Sequence, residues 1–197
     1  MKKLLLLLLV ITGVSQTYAK EKQRKLNPGV RAGWSISNIT NTGGEYRTNF
    51  YAGVQLPIRL AKFYELQPEL VYSRQGANNA TDRYVYPENY RGNTDMTIDY
   101  IDINMINKFH FGRINLQVGP GIAINTSSNE SNITPVDLTF NFGLGIDITR
   151  RLGIEARWMP GIIDINDTGN YSYSGNYYDS SETMRNNTFQ IGAYFKF

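Results

Sequence analysis

Every second residue is apolar in about eight stretches of this chain, a repeat that allows little besides β-structure. The clearest stretch runs through Ile114, Leu116, Val118, Pro120, Ile122 and Ile124, with Arg113, Asn115, Gln117, Gly119, Gly121 and Ala123 between them. Successive side chains of a strand point to opposite sides, so one face there is wholly apolar and the other polar or small. Rows of the same kind begin at Phe50, Val136, Leu152 and Phe189. Shorter rows over 30–36, 66–72 and 101–105 complete the set.

The connections between the rows alternate in length. Segments 61–62, 108–111 and 149–151 are tight, whereas 38–47, 76–95, 125–135 and 164–187 are long and polar. Short periplasmic turns at one end and long extracellular loops at the other are how outer-membrane barrels are built. The predicted fold is therefore all-β: an eight-stranded antiparallel up-and-down transmembrane β-barrel. Asp99 shares the apolar parity of its strand, and a charge at mid-depth on a lipid face costs up to a few kcal/mol, so Asp99 is placed at the membrane rim. Trp34, Tyr64, Tyr72, Tyr100, Phe109, Phe111, Trp158 and Phe195 fall near strand ends, as expected of girdles at both interfaces.

The N-terminus follows another pattern. Lys2 and Lys3 precede an apolar run, and Thr17 and Ala19 set small residues around Tyr18 ahead of a cleavage point. We read residues 1–19 as a secretory signal peptide, 20–27 as a short N-terminal segment and 28–197 as the barrel domain. Loss of the two lysines leaves 18 basic residues against 17 acidic, a balance that argues against nucleic-acid binding. After residue 19 no apolar run approaches the about 20 residues of a spanning helix, so strands are the remaining way across a bilayer.

Which face meets lipid decides the compartment. A soluble lipocalin-like barrel turns its apolar face inward, whereas a membrane barrel turns it outward. The polar row carries the acids Glu65, Glu69, Asp102, Asp137, Asp147 and Glu155 beside Arg31, Arg59, Arg113, Arg157 and Lys196. Inside a narrow barrel these charges can pair across the lumen and satisfy one another. Together with the signal peptide and the loop asymmetry, they favour the outer membrane. About eight strands enclose only enough room for side chains, which disfavours a general pore.

Several segments resemble the PorT-like outer-membrane β-barrel family. They are Asn27-Pro28-Gly29-Val30-Arg31-Ala32-Gly33, Leu66-Gln67-Pro68-Glu69-Leu70-Val71-Tyr72-Ser73-Arg74-Gln75-Gly76, Tyr100-Ile101-Asp102-Ile103-Asn104, Val118-Gly119-Pro120-Gly121 and the ending Phe189 to Phe197. Asn104 stands where the family has Pro. The resemblance implies a membrane barrel over the whole mature chain. It implies no single activity, although a founding member is linked to protein export across the outer membrane. The matching residues have a structural character.

Candidate chemistry is sparse. The chain has no Cys, so neither disulfides nor thiolate chemistry is available. The one His, His110, falls in a predicted turn, and a His base needs a nucleophile and an orienting acid beside it. Asp164-Ile165-Asn166-Asp167-Thr168-Gly169-Asn170 resembles a calcium loop but has Thr168 at its fifth position and Gly175 at its twelfth, where a bidentate Glu belongs. The chain is accordingly read as having no enzymatic activity, cofactor or metal. The last loop carries Tyr171, Tyr173, Tyr177 and Tyr178, and the second carries Tyr84, Tyr86 and Tyr90, set among Ser, Gly, Asn, Arg and Asp. Tyr gives rigid contact area and its small polar neighbours give adaptable hydrogen bonds, so these are the candidate recognition residues. The expected partners are outer-membrane lipid around the barrel and a protein or glycan at the loops, with no nucleic acid. An accessory part in protein secretion is the first alternative, and a small outer-membrane enzyme the second.

Overall fold

The computed structural model describes residues 27–81, 93–129, 133–165 and 183–197. The expected signal peptide lies outside them. Nine strands follow in chain order: β1 (Gly29–Ile39), β2 (Glu45–Gln55), β3 (Ile58–Arg59), β4 (Tyr64–Thr81), β5 (Asn93–Phe111), β6 (Ile114–Ser128), β7 (Val136–Asp147), β8 (Leu152–Pro160) and β9 (Asn186–Lys196). All pair antiparallel in the order β2-β1-β9-β8-β7-β6-β5-β4-β3, and β2 also pairs with β4, which closes the sheet. β2 and β3 are two parts of one barrel strand, interrupted at Leu56 and Pro57, so the nine segments make eight barrel strands. The ladder bridges the interruption because Leu56 N donates to Pro68 O at 2.9 Å.

The apolar rows face outward. Trp34 is 64% exposed and Leu144 54%, with Val54, Leu70, Ile103, Leu116, Ile154 and Ile191 exposed in the same manner. The polar row faces inward and is buried, including Arg31, Glu69, Gln117, Glu155 and Arg157. An exposed apolar belt around a charged interior is the membrane arrangement of a barrel, the inverse of a soluble one. On β6 the belt spans Ile114 to Ile124, about 33 Å of strand, which a tilt near 40° projects to about 25 Å of membrane.

Several boundaries differ from the sequence reading. Residues 108–111 are strand, and the chain turns at Gly112, which has φ +66°, and Arg113. The outward row of β5 is broken by Asn107, which made the strand look finished. Its amide is satisfied on the spot, accepting from Tyr64 Oη at 2.7 Å and donating to Val118 O at 3.2 Å. Segment 76–95 is not all loop either, because β4 and β5 extend their hairpin well past the apolar belt. Gly76, which reads as a turn residue, lies within β4 at φ +144°, where a Cβ would strike Met96 O.

Tyr100 is not a girdle residue: it is buried and shares the inward parity of Asp102. Phe142, Trp158 and Phe189 instead stack on the outer face, with successive centroids 5.7 and 6.3 Å apart. Trp158 Nε1 donates to Asn187 Oδ1 at 2.6 Å, the wet end of an interfacial ring. Asp99 pairs outside the barrel with Arg74, its neighbour on β4, at 2.7 and 3.0 Å. That pair lies one step beyond the last apolar outward residues, Tyr72 and Ile101.

Candidate functional site

Three layers fill the interior. At the short-turn mouth, Glu65 on β4 receives Lys196 Nζ at 3.5 Å, His110 Nε2 at 3.7 Å and Arg59 Nη2 at 3.8 Å. His110 Nδ1 faces Asp147 at 3.5 Å, and Tyr194 Oη donates to the same carboxylate at 2.6 Å. His110 thus lies on β5 and reaches into the mouth, not on a turn. It has two acids beside it, but none of its described contacts is a Ser or Thr nucleophile.

The middle layer is a closed ring of charges. Glu69 receives Arg31 Nη1 at 2.6 Å and both terminal nitrogens of Arg157, at 2.6 and 2.7 Å. Glu155 receives Arg31 Nε at 2.8 Å and Arg157 Nη2 at 3.2 Å. Arg157 Nε also donates to Gln117 Oε1 at 2.7 Å, and Arg31 Nη2 to Gln190 Oε1 at 3.2 Å. Lys108 Nζ lies 3.9 Å from Glu155 and 4.5 Å from the centre of the Tyr194 ring. Forked guanidiniums suit this task because each can bind two acceptors in fixed geometry.

The third layer faces the long loops. Asp102, Asn104, Asp137, Thr139 and Asn141 are buried there, below an apolar cap of Ile39, Ala77, Ala80, Met96, Ile98, Tyr100, Ala123 and Ile165. Gln75 Oε1 accepts from Thr188 Oγ1 at 2.9 Å and from Asn186 Nδ2, which ties β4 to β9 beneath the cap.

The charges expected inside do not behave alike. Arg31, Glu69, Glu155 and Arg157 join in the ring; Glu65, Asp147 and Lys196 gather at the mouth; Asp102 and Asp137 stand in the third layer. Arg59 keeps 55% of its side chain exposed at the rim. Arg113 is exposed on the turn, because β6 begins one residue after it and strand parity no longer holds there. Lys108 belongs to the interior, on β5 and not in the tight connection expected over 108–111. Continuing the parity of Asp102 and Asn104 along β5 would have found both Lys108 and His110. The candidate recognition residues Tyr84, Tyr86, Tyr90, Tyr171, Tyr173, Tyr177 and Tyr178 lie outside the described residues. So does most of the calcium-like loop, whose Asp164 accepts Met184 N at 2.9 Å.

The architecture has known counterparts. Neisserial surface protein A superposes with a TM-score of 0.56 at 16% identity, over 86% of this chain and 97% of that one. Ail, the attachment invasion locus protein of Yersinia pestis, superposes with a TM-score of 0.51 at 12% identity, over 88% of this chain and 99% of that one. A second Ail structure, in complex with the heparin analogue sucrose octasulfate, gives 0.50 at 14% identity, over 88% and 99% of the two chains. At these identities the likeness is one of fold. No curated protein matches the chain. The closed barrel, its apolar belt and a family match over residues 14–197 lead to one assignment: this chain belongs to the outer membrane protein beta-barrel domain family.

Proposed function

We propose that the protein is a non-enzymatic outer-membrane barrel whose long loops recognise a partner outside the cell. The observation that carries this reading is the charged middle layer. Arg31, Arg157, Glu69, Glu155 and Lys108 are buried in mutual contact across the lumen, which leaves the loop end as the surface for function. That end supplies the tyrosines among Ser, Gly and Asn that suit recognition.

Charge narrows the partner. Segments 38–47, 76–95, 125–135 and 164–187 hold nine acidic residues against four basic ones. Such a surface repels polyanions and favours a neutral or cationic partner, a protein or an unsulfated glycan. Ail was crystallised with sucrose octasulfate, and by its charge the present chain is suited to a different ligand class. The test uses the folded barrel on a glycan array and in surface cross-linking. Replacing Tyr171, Tyr173, Tyr177 and Tyr178 by Ser is expected to abolish the captured set while heat-modifiable gel mobility is unchanged. Equal capture by both proteins would end the recognition reading.

A second reading, accessory work in protein export, draws on the PorT-like segments, above all Leu66 to Gly76. It predicts that deleting the gene removes a defined set of proteins from the culture medium and cell surface, restored by the intact gene. An unchanged exported proteome would dismiss it.

A further inference from the structure

The two ends of the barrel carry opposite charge. The four long segments are acidic, whereas the short-turn end exposes Arg59, Lys62, Arg113, Arg150 and Arg151. Among the described residues no exposed acidic side chain answers them there. Glu65 is buried beneath Lys196, His110 and Arg59, and the partly buried Asp147 is engaged by His110 and Tyr194.

These bases come with aromatic rings. Lys62 precedes Phe63, and Arg113 follows Phe111 across the single residue Gly112. Phe63 O accepts His110 N at 2.7 Å, which sets the two turns side by side. On the other flank Arg151 O accepts Lys196 N at 2.8 Å, so Arg151 adjoins Phe197. Phe63, Phe111 and Phe197 are 60–65% exposed. A ring beside a cation at a barrel rim puts apolar surface at the edge of the hydrocarbon and charge at the level of the headgroups.

Between the two flanks the outer wall is concave. A groove of about 400 Å³ runs along β2 between β1 and β4, lined by Val30, Val54, Leu56, Pro68, Leu70 and Phe197. It lies where the barrel strand breaks at Leu56 and Pro57, next to the turn that carries Lys62. A flat lipid-facing wall touches an acyl chain on one side only. A groove touches more of the chain, and each added contact helps to hold it.

We propose that this end, independently of any role of the loops, binds an anionic phospholipid of the adjoining leaflet. One acyl chain lies in the groove, and the phosphate meets the bases at the groove's foot, Lys62 on one side and Arg151 on the other. Arg113 and Arg150 extend the same attraction around the rim. A zwitterionic lipid carries the same phosphate but adds a cation that the bases repel.

The test uses the full mature barrel, folded and equilibrated with equal amounts of phosphatidylglycerol and phosphatidylcholine of identical chains. Native mass spectrometry reads which lipid it keeps. The anionic lipid should be retained over the zwitterionic one by roughly tenfold or more. Lys62→Gln with Arg113→Gln and Arg151→Gln should remove that preference and leave heat-modifiable mobility intact, since all three side chains are exposed. Val54→Trp fills the groove without changing charge and should lower retention of both lipids severalfold. Arg47→Gln with Arg185→Gln, at the loop end, should change neither readout. A wild-type barrel that keeps both lipids equally would overturn the proposal. So would a preference that survives the triple substitution, or retention untouched by Val54→Trp. Binding of soluble peptidoglycan fragments in place of the lipid would overturn it too, and would assign the bases to the cell wall. Should the triple variant fail to fold, the wild-type preference at rising salt decides the question, because attraction to the headgroup falls with ionic strength and chain contact does not.

Discussion

Glu69→Ala is expected to destabilise the folded barrel by about 3–5 kcal/mol, the scale of breaking a buried ion pair from one side. Glu69 is the hub of the middle layer, with Arg31 and Arg157 both at 2.6 Å. Its loss leaves two guanidiniums to share Glu155, with Lys108 Nζ already 3.9 Å from that carboxylate. Urea unfolding of barrels folded into lipid vesicles measures the change. Replacing Glu69→Leu with Arg31→Met and Arg157→Met should cost less than Glu69→Ala alone, because the two charges that remain, Glu155 and Lys108, are opposite and 3.9 Å apart, whereas Glu69→Ala leaves three cations around one carboxylate. If Glu69→Ala unfolded at the wild-type urea concentration, the ring would not be what holds the lumen together.

Leu144→Arg is expected to cost about 2–4 kcal/mol, because it sets a charge within the apolar belt facing hydrocarbon. Leu144 is 54% exposed on β7, between Phe142 and Ile146 on the same face. In a soluble protein such an exposed position would tolerate Arg within about 0.5 kcal/mol. Thr48→Arg provides the control. Thr48 is exposed on the outward row of β2 beyond Phe50, opposite Ile36, the last apolar residue on the outward row of β1, and should lose no more than about 1 kcal/mol at the interface. Equal costs for the two substitutions would mean that the belt does not face lipid.

Both predictions rest on features that differ in how far they could be read from sequence. The belt is local: a strand repeats every two residues, so a run such as Ile114 to Ile124 declares its faces without reference to any other part of the chain. Its polar row names the interior residues by the same rule, and the rule fails only where a strand ends. Arg113 was counted inside because it precedes Ile114 in parity, yet the chain is already turning there. Lys108 and His110 were missed for the opposite reason. Asn107 interrupts the apolar row, and its satisfaction by Tyr64 and Val118 is invisible until β4 and β6 lie on either side of it.

The strand repeat, the two faces, the alternation of short and long connections and most of the charges turned inward are therefore properties of the linear chain. Which of those charges meet depends on the closed fold. Glu69 and Arg157 are 88 residues apart and face each other only because β2 closes on β4 and brings β4 and β8 to opposite walls of one lumen. Parity gives a side chain its face. Its height and its partner across the lumen come from the stagger of eight tilted strands, a property of the closed sheet as a whole. The same closure sets Asp102 and Asp137 on either side of Ala123, a juxtaposition that no count of 18 bases against 17 acids along the chain could reveal.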